Sequence, residues 1–169
     1  LFNEMICAGV GPTNVTFKAV LSACDHCGLV DEGKKWFYKM KKDYRIDPTI
    51  EHYSCMIDLF ARAGFFREAL DLIDEMSFEA DASVWASVLR GCVARGDKIL
   101  GKEVAERIIG LDPKNSSAYV QLSSVLATSE DWEGSERVRQ LMREKRILKN
   151  PGRSWGDGLV KDFAGGTLS

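Results

Sequence analysis

NVTFKAVLSACDHCGLVDEGKKWFYKM, residues 14 to 40, is the stretch that decides the fold of this chain. Its first half carries apolar side chains at the i, i+3, i+4, i+7 spacing of an amphipathic helix, namely Phe17, Val20, Leu21 and Cys24. Gly28 ends that pattern. A second apolar face follows Gly33 and consists of Trp36, Phe37 and Met40. The stretch therefore predicts a helix-turn-helix hairpin.

The same hairpin recurs along the chain. Its first-helix aromatic returns at intervals of 36, 32 and 34 residues, as Phe17, Tyr53, Trp85 and Tyr119. The turn follows eleven residues after each aromatic, at Gly28, Gly64, Gly96 and, as an exception, Glu130. A small side chain comes five residues later, at Gly33, Ala69, Gly101 and Ser135. Because one hairpin cannot bury its own apolar face, the repeat predicts an all-α protein, an α-solenoid of stacked hairpins.

The repeat register divides the chain into four complete units, residues 14–49, 50–81, 82–115 and 116–149. Pro48 and Pro113 lie where a second helix must stop before the next unit begins. Residues 1–13 match only the back half of a hairpin, and the chain begins at Leu1 rather than at a methionine. We therefore expect a piece of a longer protein, with any targeting peptide upstream.

Composition and charge exclude several classes of protein. The apolar content of 45% suffices for a core, and no run of about 18 apolar residues could cross a membrane. The chain has 23 Lys+Arg and 25 Asp+Glu, a net charge of -2, so bulk electrostatics does not indicate nucleic-acid binding. Basic residues are concentrated at 34–42 and at 137–146, and we interpret both groups as solvated helix faces.

The five cysteines are interpreted as free thiols, several of them buried. Cys24 falls at a core position of the repeat register, and Cys55 follows Tyr53 by two residues. Cys24 and Cys27 form a C-x-x-C motif, but a structural zinc site needs a second pair at suitable spacing, which the sequence lacks. We predict neither a metal nor a cofactor.

Several sequence strings occur in the order found in one family of plant proteins. They are VTFKAVLSAC at 15–24, GLVDEG at 28–33, EHYSCMIDL at 51–59, LDP at 111–113, RVRQLM at 137–142 and PGRSW at 151–155. In these strings the chain resembles the pentatricopeptide repeat (PPR) proteins of the P-L-S class. The resemblance implies a right-handed α-solenoid, similar to that of tetratricopeptide repeats (TPR).

The resemblance also classifies the individual units. Residues 1–13 are similar to the end of a truncated PPR repeat, 14–49 to an L-type repeat and 50–81 to an S-type repeat. Residues 82–115 and 116–149 resemble the two TPR-like repeats of the family's C-terminal E extension. Residues 150–169 resemble its Pro-Gly box and part of an E+ tail. Compared with the family's E+ segment, this chain lacks residues between Trp155 and Gly158.

The resemblance implies the C-terminal part of a sequence-specific RNA-binding protein that directs C-to-U editing of mitochondrial or chloroplast transcripts. In the family, each repeat reads one unstacked base with the residue after the first-helix aromatic and with its own last residue. These pairs are Lys18 with Thr49 and Ser54 with Asp81, and the second pair would favour guanine. As an alternative, Ser54 and Asp81 serve only as capping and turn residues.

The third and fourth units have Ala86 and Val120 at the first reading position, and neither side chain can hydrogen-bond a base edge. We therefore assign these units to protein contact or positioning. In the family, the E extension recruits editing partners such as the multiple organellar RNA editing factor proteins.

The chain is predicted not to be an enzyme. Nucleobase deaminases need an H-x-E and a P-C-x-x-C motif, and the sequence contains neither. The resemblance implies that a DYW-type deaminase acts in trans or lies beyond Ser169. Two alternatives stay open: a TPR-like protein-interaction scaffold, and an RNA maturation or stability factor without editing activity, against which the E-like tail is evidence.

Overall fold

The computed structural model describes residue 9 and residues 11–147, and this part of the chain contains eight α-helices and no strand. The helices are α1 Asn14–Cys27, α2 Val30–Lys42, α3 Ile50–Ala63, α4 Phe66–Asp74, α5 Ala82–Arg95, α6 Lys98–Leu111, α7 Ser116–Thr128 and α8 Trp132–Glu144. The Pro-Gly box and tail predicted at 150–169, and most of the truncated repeat predicted at 1–13, lie outside the described residues. None of the described helices is long and apolar enough to span a membrane.

The helices pair into four antiparallel hairpins, α1/α2, α3/α4, α5/α6 and α7/α8, that stack along the chain. The first helix of each of the first three hairpins packs on its neighbour, α1 against α3 and α3 against α5. At the last junction α7 packs mainly on α6. The prediction of an all-α solenoid is therefore confirmed.

The first-helix aromatics form the spine of the core. All four are buried: Phe17, Tyr53, Trp85 and Tyr119. Aromatic contacts also join the first two units, since the ring of Phe37 lies 5.4 Å from that of Tyr53, which in turn lies 5.7 Å from Phe78. Each buried side chain of this size contributes about 1.5–3 kcal/mol to stability. Cys24 and Cys92 are buried in the same core as free thiols, as predicted for Cys24.

The turns adopt the left-handed backbone conformation. Gly28, Gly64 and Gly96 have φ values of 68°, 86° and 75°. Glu130, the exception in the sequence pattern, has φ 64° and occupies the same place in the fourth hairpin. A residue with a Cβ is strained in this region, so the backbone of the last turn is less favourable than that of the other three.

The small residue of the second helix sits at a contact between units. A Cβ on Gly33 would lie 2.7 Å from Cδ2 of Leu59, so the helices that it allows to approach are α2 and α3 of the next hairpin. In the fourth unit the equivalent Ser135 is 1% exposed, and its hydroxyl donates a 2.9 Å hydrogen bond to the carbonyl of Ser123. The buried hydroxyl of Ser135 is tolerated at this position because it has a hydrogen-bond partner.

Candidate nucleic-acid interface

The residues predicted to read bases lie at the start of the first helices. Thr49 is the N-cap of α3 and Asp81 is the N-cap of α5, while Lys18 and Ser54 lie at the start of the second turns of α1 and α3. Since α1, α3 and α5 pack side by side in this order, the four positions follow one edge of the solenoid. The arrangement presents a row of polar side chains at one repeat spacing.

Lys18 is engaged with the neighbouring unit. Its Nζ lies 2.8 Å from Oε2 of Glu51, two residues after Thr49, and this hydrogen-bonded ion pair lowers the pKa of Glu51. The structure therefore brings Lys18 to the first turn of α3, beside Thr49. About half of each charged side chain is exposed, so the pair contributes little to stability and can open when another anion approaches.

Thr49 is held by a histidine that sequence reasoning missed. The Nδ1 atom of His52 lies 2.8 Å from the hydroxyl of Thr49 and accepts a 3.1 Å hydrogen bond from its backbone N–H. The Nε2 atom lies 2.9 Å from the carbonyl of Asn14 and must donate to it, because a carbonyl oxygen only accepts. His52, which is 1% exposed, is thus a neutral tautomer that ties α1 to α3. The T-x-x-H spacing was the available signal, because it places a side-chain acceptor at the third helical position.

Asp81 has a capping role and an unused oxygen. Its Oδ1 accepts from the backbone N–H groups of Ser83 and Val84 at 2.9 and 3.0 Å and from the Ser83 hydroxyl at 2.9 Å. The N–H of Val84 and the Ser83 contacts lower the pKa of the Asp81 carboxyl. Within the described part of the chain, Oδ2 makes no hydrogen bond. Asp81 is therefore an ionised helix cap that keeps one acceptor available.

Ser54 is half-buried, and its hydroxyl makes no hydrogen bond to any described residue. No direct bond joins it to Asp81. The two side chains are nevertheless held on adjacent, directly packed helices, with a hydroxyl on one and a carboxylate oxygen on the other. This pair can supply one donor and several acceptors to a planar polar edge.

A ladder of arginines joins the first helices below this row, and the sequence pattern gave no sign of it. Arg62 donates to the backbone carbonyl of Asp25 in the preceding unit, and Arg95 donates to the carbonyl of Arg62 at 2.8 Å. Arg90 forms a 2.6 Å ion pair with Asp58. Burial, followed by the charge of Asp58, raises the pKa of the Asp25 carboxyl. These contacts fix the spacing of α1, α3 and α5.

The fourth unit presents a different surface. A groove of about 580 Å³ opens between α7 and α8, and its lining includes Val120, Ala127, Trp132 and Met142. Trp132 is 67% exposed. At the floor of the groove, Nε of Arg139 donates to the hydroxyl of Ser123 at 2.9 Å. An apolar groove with an exposed tryptophan and one arginine is more typical of a protein contact than of base reading.

Family models match two regions of the chain. A model described as "PPR repeat" matches residues 15–44 and 51–78, and one described as "E motif" matches residues 96–157. The described residues contain no group of three or more His, Cys, Asp or Glu side chains that could hold a metal ion.

Relatives in Arabidopsis thaliana match nearly the whole chain. A putative mitochondrial pentatricopeptide repeat-containing protein is 57% identical over 157 residues, which is 93% of this chain and 23% of that relative. The chloroplastic pentatricopeptide repeat-containing protein ELI1 is 49% identical over 153 residues, 90% of this chain and 24% of its own length. The chain thus spans about a quarter of the length of these relatives.

Solved structures show the same fold. The crystal structure of the pentatricopeptide repeat protein PPR10 from maize superposes with a TM-score of 0.68 at 24% identity, over 88% of this chain and 22% of that one. PPR10 in complex with an 18-nucleotide psaJ RNA element superposes with the same TM-score at 18% identity, over 86% of this chain. With two repeats and an E motif in sequence and the solenoid in structure, the chain belongs to the pentatricopeptide repeat family.

Proposed function

We propose that this chain is the C-terminal part of a P-L-S-class protein that binds single-stranded organellar RNA and directs site-selective C-to-U editing. The observation that carries the proposal is the order of its parts, two repeats with polar side chains along one edge followed by an E motif. Relatives with mitochondrial and chloroplastic names support an organellar location. The RNA complex of PPR10 supports a nucleic-acid ligand for the solenoid.

In this proposal the second unit reads a guanine. The Watson–Crick edge of guanine presents two N–H donors beside one carbonyl acceptor, and Oδ2 of Asp81 and the hydroxyl of Ser54 offer the matching groups. Ionised Asp81 can only accept, so it cannot bond to N1 of adenine, which is itself an acceptor, whereas N1 of guanine carries a hydrogen that it can donate. The first unit contributes less, because Thr49 is bonded to His52 and Lys18 to Glu51.

The Asp81→Asn variant tests this assignment. Asparagine is as good an N-cap as aspartate, so the fold is retained, but its amide can donate to N1 of adenine. We expect the preference at one RNA position to change from guanine towards adenine, by about tenfold in relative affinity for one exchanged bonding pair. The measurement is competition binding to four RNAs that differ at that position, made with the repeats that precede this chain attached. An unchanged preference would remove Asp81 from the reading pair.

We infer that the third and fourth units recruit the editing machinery, including multiple organellar RNA editing factor proteins and a DYW-type deaminase supplied in trans. Support comes from Ala86 and Val120, which lack base-reading groups, and from the exposed Trp132 at the groove of the fourth unit. The Trp132→Ala variant should reduce co-purification of an editing partner while leaving nucleotide preference unchanged.

A protein-interaction scaffold without RNA is the second candidate function, and the groove at Val120 and Trp132 is the observation that favours it. The two candidates differ at Asp81. A pure scaffold would show no change in nucleotide preference when Asp81 is exchanged for asparagine.

A further inference from the structure

A polar pocket of about 540 Å³ lies at the junction of the third and fourth units, where α6 passes into α7. At its centre is Asn115, the N-cap of α7, whose Oδ1 accepts from the N–H of Ala118 at 3.1 Å. Thr49 and Asp81 are the equivalent N-caps of α3 and α5. We call this site the Asn115 pocket; Asn115 is the last residue of its unit, as Thr49 and Asp81 are of theirs.

The N-terminus of α7 offers two unsatisfied donors to the Asn115 pocket. The backbone N–H groups of Ser116 and Ser117 make no hydrogen bond to any described residue, because the Asn115 cap reaches only Ala118. The first turn of α7 contains no acidic residue, whereas α3 has Glu51 in that place. The partial positive charge of the helix terminus is therefore not compensated from within its own first turn.

Ser116 provides an independent indication of a ligand. It lines the pocket, is 8% exposed, and its hydroxyl has no hydrogen-bond partner among the described residues. The only completely buried side-chain polar atom without a hydrogen-bond partner in this part of the chain is Oδ1 of Asp25, which is ion-paired with Arg62. The small exposed area of Ser116 therefore includes its hydroxyl, which opens into the pocket as a donor. A buried hydroxyl is costly to leave unpaired unless a ligand or solvent completes it.

Three cations surround these donors. Lys114, Lys145 and Arg146 line the pocket, and none of them forms an ion pair with a described residue. Nζ of Lys145 lies 3.5 Å from the hydroxyl of Tyr119, which leaves its charge uncompensated. Asp112 is the one carboxylate in the lining, and its Oδ1 accepts from the N–H of Lys114 at 3.1 Å. The site carries an excess of positive charge although the whole chain is acidic.

We propose that the Asn115 pocket binds a backbone phosphate of single-stranded RNA. Main-chain N–H groups at a helix N-terminus, a serine hydroxyl and clustered Lys and Arg side chains are the groups that bind phosphate oxygens. The inference rests on the proposed function only for the source of the phosphate. It adds that the third and fourth units, which lack base-reading groups, hold the strand independently of its sequence beyond the last base-reading unit.

The experiment uses the intact chain in two titrations followed by amide NMR, one with inorganic phosphate and one with a short single-stranded RNA. RNA should shift the amide resonances of Ser116 and Ser117, and Ser116→Ala should weaken that response. Inorganic phosphate should move the same resonances only weakly, and RNA should displace it. Binding of free phosphate that RNA does not displace would overturn the assignment to RNA, and unshifted Ser116 and Ser117 amides would overturn the site.

Matched variants separate this pocket from general charge. Lys145→Gln with Arg146→Gln should lower RNA affinity about fivefold for every base sequence and reduce the slope of log affinity against log salt by about one. The control, Lys102→Gln with Arg137→Gln, makes the same charge change at exposed residues outside the pocket and should lower affinity less than twofold. Equal losses in the two pairs would overturn the proposal. Base reading can fail separately, because it is measured by nucleotide preference at one position.

Discussion

The junction between the second and third units and the junction between the third and fourth are built differently. At the former, α3 and α5 lie in direct contact: a Cβ on Gly91 would be 2.5 Å from the carbonyl oxygen of Ala61, and Arg95 caps the end of α3. At the latter, α7 packs on α6 and hardly touches α5. There, Val125 of α7 lies 3.5 Å from the Cβ position of Gly101, and Lys98 donates to the carbonyl of Thr128.

The four residues predicted to read bases all lie in the first two units, before the last junction. Bases read one per unit require first helices at a constant spacing, and the contacts of Gly91, Arg62, Arg90 and Arg95 provide it for α1, α3 and α5. The last junction lacks these contacts, so α7 is displaced from the row. Its Val120 faces a groove suited to another protein instead of a base edge.

Gly91→Ala is expected to have the largest effect, because it attacks the close junction directly. The added methyl group meets backbone atoms of Ala61, so α3 and α5 must separate, at a net cost of about 2–3 kcal/mol in the free energy of unfolding. Gly110→Ala is the matched control: a Cβ there has no neighbour within 4 Å, and the change should stabilise α6 by up to about 1 kcal/mol. Urea unfolding of both variants measures the contrast. Similar effects of the two changes would show that the junction is not close-packed in solution.

Asp81→Ala comes next, because it removes the cap of the helix that completes the close junction. The free energy of unfolding should fall by about 1 kcal/mol at neutral pH, as measured by thermal or urea unfolding. Asp81→Asn is the control that retains a cap. The folded-state pKa of Asp81 is lowered, so its ionic contribution is complete above the unfolded value near 3.9 and is lost as pH falls through the folded value. The cost of Asp81→Ala should therefore shrink in acid, and a cost independent of pH would contradict the charged cap.

The sequence predicted the solenoid because its landmarks are local. The aromatic, the turn and the small residue are each fixed by the geometry of one hairpin, and the register alone also locates Glu130, whose φ is 64°. Contacts between units could not be read in this way. Gly91 and the arginine ladder depend on the angle at which one first helix crosses the next, and a repeat length does not specify that angle.

The candidate interface shows the same division. Ser54 and Asp81 could be chosen from the sequence because the family resemblance implies the reading positions and the repeat register locates them in this chain. The bond from His52 to the carbonyl of Asn14 could not be predicted, since it joins α3 to the preceding unit, whereas the contact of His52 with Thr49 is local. The Asn115 pocket combines residues near 115 with Lys145 and Arg146, which come together only when the fourth hairpin closes.

Glu130→Gly is expected to have the smallest effect. It tests whether the fourth unit is stabilised independently of the first three. Glycine adopts the φ of 64° without strain, which stabilises the folded chain. Glycine also gives the unfolded chain more conformational freedom, which offsets part of this stabilisation. The net change should be a stabilisation of about 0.5 kcal/mol, confined to the fourth hairpin, where hydrogen exchange of α7 and α8 amides would slow. Gly96→Ala, at φ 75° with no neighbour within 4 Å of the added Cβ, makes the opposite change in the third hairpin and should destabilise it by a comparable amount. If Glu130→Gly instead protected α3 and α5 equally, the fourth unit would be coupled to the row of first helices as tightly as the others, and the distinction between the two junctions would be wrong.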